Sequence, residues 1–314
     1  TTEGASTFNA DFDSDGTGRF SIAAGKTLTS TDNANISIVS SGDIGIVGNI
    51  SSGTGQITIS TANGGTIGLG GTAGNSTIDA AELAKITAGI LNIGSSSTGN
   101  ITVDGITAAN SNNATTVSLT TANASSVSFA NNNSTFNALT VNSGSASFGS
   151  GLTITTDTGK LDLNSISLAS AGALTLVGAT GIDFGSGVTF TAGGNLAMTT
   201  TSGVITGAGA FTLTAAGDIS LTEDFTTAGT TVITADSDGS IYVADDYTNF
   251  VTSFDLDGNF KHRWGTKGSN NGELHGPSGI ASDSKGHLYI SDTRNHRIQK
   301  FTTSGEFISS FGSL

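Results

Sequence analysis

A chain of 314 residues leaves room for two or three domains or for one elongated repeat body. Its 45 glycines, single proline and 11% charged residues exclude a helical bundle and a Pro-rich linker, and a hydrophobic share of 35% is too high for simple disorder. The formal charge of -14 repels nucleic acid and anionic membranes and leaves cations as the small partners to expect, while the lack of cysteine rules out disulfides and thiolate metal sites.

No apolar run reaches the roughly 18 residues that suggest a membrane-crossing helix, so membrane insertion is not expected. The chain opens at Thr1 without an apolar leader and reads as an excised part of a longer precursor. Near this end Asp11, Asp13, Asp15 and Gly16 spell DxDxDG, the opening of a calcium loop in which alternate carboxylates face one cation. The twelfth position of such a loop is Ile22 rather than the bidentate Glu. Calcium and a solvated acidic turn are therefore both open readings.

From there to about residue 231 apolar residues stand singly between small polar ones, as in Ile57-Thr58-Ile59 and Leu174-Thr175-Leu176. This alternation predicts strands with one buried face. Gly172, Gly194 and Gly217 each open such a strand (GALTL, GNLAM, GDISL), and that recurrence predicts an all-β parallel solenoid over residues 1–231. At roughly 22 residues per coil it would hold about ten coils. Earlier openings, GRFSI at Gly18, GQITI at Gly55 and GNITV at Gly99, are spaced more widely, so the register there is open. Ala80–Lys85, AAELAK, reads as one short helical turn.

The stretches ADFDSDGTGRFSIAAGKTL from Ala10, AELAKITAGILNIGSSSTGNITV from Ala81 and AGGNLAMTTTSGVITGAGAFTLTAAGDISL from Ala192 resemble the repeats of secreted proteins of the filamentous haemagglutinin type. That resemblance implies a right-handed parallel β-helix exported from a Gram-negative cell and serving adhesion, aggregation or toxin display. An export-recognition domain like that of the complete family proteins is not seen in this sequence.

Composition changes near residue 231. All three tyrosines, the only tryptophan, Trp264, all four histidines and Pro277 follow it, with seven of the eleven Lys and Arg. Two segments then align at a shift of 47: Ser240-Ile-Tyr-Val-Ala-Asp245 with His287-Leu-Tyr-Ile-Ser-Asp292, Phe254 with Phe301, Gly258 with Gly305, and Trp264-Gly265 with Phe311-Gly312. The second copy, GPSGIASDSKGHLYISDTRNHRIQKFTTSGEFISSFG from Gly276, resembles an NHL repeat, a four-stranded propeller blade. The resemblance implies two antiparallel blades over 232–314, too few to close a ring, and a surface for protein contact or assembly. Tyr242, Trp264, Tyr289 and Phe311 are the expected packing or contact residues, with Trp264 and Phe311 buried in the last strand of each blade. The uncovered blade faces call for a cover: further blades beyond Leu314, blades of other subunits, or the solenoid end.

Chemistry has little to stand on. The four basic residues before the boundary, Arg19, Lys26, Lys85 and Lys160, are too dispersed for the basic and acidic cluster of a lyase, and the histidines form neither HxH nor HExxH. Asp236-Ser-Asp238-Gly239 and Asp255-Leu-Asp257-Gly258 read as hairpin turns, and Glu223-Asp224 as the solenoid end. The Thr rows around Thr153 and Thr199 suit solvent-facing strand positions, an ice-binding face being the sharper alternative. The sequence thus predicts no enzyme and no assured cofactor. It predicts an extracellular or cell-surface scaffold or fibre subunit that associates with itself, the alternative being a secreted adhesin that binds surface glycans.

Overall fold

The computed structural model describes residues 4–10, 18–164, 167–222, 224–227, 231–234, 240–255, 258–283 and 286–312. Among them the chain is all-β, a parallel solenoid of about nine turns followed by antiparallel strands. Three long sheets of twelve, nine and eight strands wall the solenoid. The first two sheets, and the third as far as Ile241–Asp245, are paired in parallel, nearly always one coil with the next, so a strand's hydrogen-bond partners come as a rule from another turn of the chain.

In-register stacking turns the alternation of single strands into continuous rows. Ile36, Ile57, Leu91, Val117, Leu139, Leu161, Ile182 and Ile205 are successive ladder partners in one wall. All eight are buried. A coil alone would leave its member of that row in water, and stacking removes it at about 25 cal/mol per Å² of apolar area. Phenylalanines stack the same way, Phe129 on Phe148 with centroids 5.1 Å apart and planes 9° from parallel.

Glycine sets corners where another backbone passes close by. At Gly94, with φ +86°, an added Cβ would lie 2.1 Å from the Thr120 carbonyl oxygen, and at Gly70, φ +85°, 2.1 Å from that of Asp104. Neither position tolerates a side chain.

The three later openings are equivalent strands of the eight-stranded wall, where Leu174 pairs with Leu196 and Leu196 with Ile219. The three earlier ones are not equivalent. Phe20–Ile22, Gln56–Ser60 and Ile101–Asp104 lie in three different sheets. Coil length varies there: Thr58 and Asn92 are partners 34 residues apart, whereas Thr140 and Asp162 are 22 apart. The longer coil holds the helical turn Ala80–Leu83, fixed by a capping box between Asp79 and Glu82. Glu82 also accepts from the Ile46 amide at 2.9 Å. A second turn, Ala108–Ser111, packs beside the first and was not expected, its polar sequence giving no helical periodicity.

The parallel pairing runs on past residue 231. Thr231–Thr234 pairs with Phe211–Ala215, and Ile241–Asp245 with Ile219–Leu221. The strand Ile241–Asp245 is shared, because its other edge pairs antiparallel with Phe250–Phe254, which pairs in turn with Phe260–Trp264. The first repeat copy therefore shows three antiparallel strands among its described residues, not an independent four-stranded blade. The second copy is a separate four-stranded antiparallel sheet built from Pro277–Ser282, His287–Asp292, Arg297–Thr302 and Phe307–Phe311.

Leu176 is fully buried between coils. Leu176→Ala should cost about 2–5 kcal/mol, read as a lowered urea midpoint by circular dichroism, and an unchanged midpoint would contradict the buried-row assignment.

Candidate functional site

The region with most chemical variety is the junction where the antiparallel strands leave the solenoid. The terminal sheet covers the three-stranded unit, and their shared core is Tyr242, Val251, Leu274, Ile280, Leu288, Ile290 and Phe301. Trp264 lies within it, 6.0 Å from Tyr242 and 6.4 Å from Phe301, stacked on His262 at 5.2 Å. The His262 ring bridges the two sheets, with Nδ1 2.9 Å from Ser253 Oγ and Nε2 donating to the Thr303 carbonyl at 3.0 Å. The terminal sheet also rests on the last coils, since Ser220 Oγ donates to the Ile280 carbonyl and Asn195 Nδ2 to Ser282 Oγ at 2.8 Å. The solenoid end thus meets the edge strand Pro277–Ser282 of the terminal sheet and leaves the outer blade faces, with Val243 and Phe260 on one and Ile298 and Phe311 on the other, exposed.

One buried polar knot fixes the terminal sheet to the loop before it. Asp292 is fully buried and accepts from Arg297 Nε at 2.7 Å, Asn295 Nδ2 at 2.8 Å, Gln299 Nε2 at 3.0 Å and the His275 amide at 2.6 Å. Four donors on one buried carboxylate meet the condition under which a buried charge is tolerated. Arg297 continues the knot to the carbonyls of Asn270 and Glu273. This cluster has no periodic pattern in the sequence, its one signal being Asp292 with Arg297 five residues on.

The four expected contact residues divide. Tyr242 is buried and Trp264 partly so. Tyr289 is half-buried on the other face of the terminal sheet, its hydroxyl donating to Asp283 at 3.1 Å and its ring lying 4.9 Å from Lys300 Nζ. Phe311, expected to be buried, is 54% exposed. The reason is positional: Trp264 has the terminal sheet over it, and no described element lies over Phe311.

A cleft of about 490 Å³ opens beside the junction, between the last coil and the hairpin that ends in Tyr247. Leu221, Val243 and Pro277 give it an apolar wall, and Thr222, Asp224 and Asp246 a polar one. Asp246 pairs with Arg294 at 3.2 Å. Asp245 caps the hairpin: the Thr248 side chain above all, and then the amides of Thr248 and Tyr247, donate to its carboxyl and hold it below the usual range. Tyr247 is 93% exposed at the rim.

On the solenoid wall, in-register pairing brings Asp162 beside Asp183. Asp183 is served by Lys160 at 2.5 Å and by Thr206. Asp162 keeps one buried oxygen, Oδ1, without a partner. Burial first and the neighbouring Asp183 second push its carboxyl up, against the pull of Lys160 and Thr140.

The proposed calcium ligands Asp11, Asp13 and Asp15 lie outside the described residues, as do Asp236, Asp238 and Glu223. Asp255 accepts from the Asn259 amide and side chain, the turn chemistry expected of it. Among the described residues no group of three or more His, Asp or Glu is placed to hold a metal ion, and no helix is long and apolar enough to cross a membrane. The Thr files are interrupted: Thr153 and Thr175 are followed by Ala197, and Thr155 by Val177. The regular hydroxyl grid of an ice-binding face is therefore not formed on this wall.

Because its raised pKa means that the folded state binds the proton more tightly than the unfolded chain, ionised Asp162 costs stability above that pKa and the cost disappears as pH falls through it. Asp162→Asn should therefore raise the melting temperature at neutral pH and lose that advantage in acid; equal gains at both would contradict the assignment. In comparison with known proteins, nothing among the curated proteins matches the chain, and the family model described as the NHL repeat matches residues 274–301, the loop and central strands that hold the Asp292 knot.

Proposed function

We propose that this chain is a module of an extracellular or cell-surface scaffold or fibre, structural rather than catalytic. In this reading a haemagglutinin-type solenoid, exported from a Gram-negative-type cell, is the stiff spacer, and the NHL-like strands make contact with another subunit. The observation that carries it is the contrast between the two parts. The solenoid buries one continuous core along its coils and, among the described residues, leaves the dispersed Val47, Ile90 and Val204 strongly exposed, whereas the much shorter antiparallel region gathers Val243, Phe260, Ile298, Ile308 and Phe311, all at least 40% exposed. Large apolar side chains gathered on paired strands mark contact surfaces. Negative-stain microscopy of native material should show filaments or ordered arrays with a regular repeat; isolated single rods at every concentration would contradict the scaffold.

A second reading, adhesion through surface glycans, is favoured by the junction cleft. An exposed tyrosine ring at its rim offers a flat face to a sugar, and Thr222, Asp224 and Asp246 offer hydroxyl and carboxylate partners. If so, a glycan array should register binding of neutral oligosaccharides that Tyr247→Ala removes. An array without signal, or one indifferent to the substitution, would count against the adhesin.

A further inference from the structure

The two repeat copies meet through unlike faces. The terminal sheet presents Leu288, Ile290 and Phe301, its front, to the face of the three-stranded unit that carries Tyr242, Val251 and Trp264, its back. Front meets back, and both are buried there or nearly so.

The shift of 47 residues identifies the same two faces on the other member of each pair. The back of the terminal sheet carries Ile298 and Phe311, cross-strand partners as Val251 and Trp264 are in the first unit. The front of the three-stranded unit carries Val243, Phe254 and Phe260, with Ile241 opposite Phe254 as Leu288 is opposite Phe301. Phe260 stands opposite Phe254 just as Phe307 stands opposite Phe301. Positions buried in one copy are open in the other: Val251 is 0% exposed but Ile298 45%, and Ile290 is 0% exposed but Val243 40%. Phe260 and Phe311 reach 62% and 54%. Of the nine strongly exposed large hydrophobics among the described residues, these two faces hold four.

We infer that a second copy of this chain docks head to tail, the front of its three-stranded unit covering the back of the first copy's terminal sheet and so repeating between chains the contact already made within one. This inference rests on the assembly reading above. The occupant follows from continuity with the internal interface, because among the described residues each chain carries one uncovered face of each kind and the two kinds already fit each other. Two backs or two fronts have no such precedent in the structure. A contact between unlike faces is heterologous, so it propagates into a ring or an open filament instead of stopping at a symmetric dimer.

The test is sedimentation velocity on the whole chain, on Phe311→Asp, on Phe260→Asp and on their equal mixture. Both substitutions sit at exposed positions, and melting curves like that of the parent chain show that the fold is kept. The parent chain should form species larger than dimers as concentration rises, each variant alone should sediment as a monomer, and the mixture should give dimers and nothing larger. The dimers arise because one intact front and one intact back remain. A monomeric parent chain would overturn the assembly reading and this inference together. A parent chain that associates while either variant does so equally well, or a mixture that stays monomeric, would overturn the face assignment alone.

Discussion

Everything in this molecule depends on one constraint: a coil can bury its apolar row only against the coil beside it, with the strands in register. Parallel pairing sets neighbouring strands about 4.8 Å apart, and at that spacing a one-residue slip would turn each apolar row to solvent. The buried row from Ile36 to Ile205 shows how strictly the register is kept across coils of different length. Length differences are absorbed at the corners, where the helical turns Ala80–Leu83 and Ala108–Ser111 take up extra residues without moving the ladder. The same constraint creates a local conflict, since register places Asp162 beside Asp183 whatever their charges prefer.

The antiparallel region obeys the complementary rule that a sheet with an apolar face requires another sheet on it. The shared strand Ile241–Asp245 converts one regime into the other, parallel on one edge and antiparallel on the next. The terminal sheet then closes over the first unit and touches the last coils through Ser220 and Asn195. Rod and terminal strands are therefore packed as a continuous body at this junction, and the cleft with Tyr247 on its rim is what their meeting leaves open.

Much of this was legible in the sequence because alternation reports which side of a strand is buried. Leu174, Leu196 and Ile219 fall in one file as their spacing predicts, and AAELAK forms its helical turn. The early coils were not legible, since Phe20, Gln56 and Ile101 follow similar glycine openings yet belong to different walls. Local pattern gives a strand its faces but does not say which wall it joins when coil length varies. Phe311 failed for a related reason. Its match to Trp264 correctly gives the position on the strand, whereas burial depends on a neighbouring sheet that the repeat does not specify. The Asp292 knot was missed because its partners come from a loop, a 3-10 turn and a strand, a cluster without periodicity.

The direction of the ladder bonds has a mechanical consequence. In the solenoid the bonds between coils run along the long axis, so a pull on the two ends loads them in tension and opens them a few at a time, coil by coil. Such a rod yields by peeling at modest force rather than by shearing a whole sheet at once, and each released coil adds slack that dissipates the load. The last coils are held by more than their own ladder, because Ser220 and Asn195 tie them to the terminal sheet, so parting them breaks side-chain bonds as well.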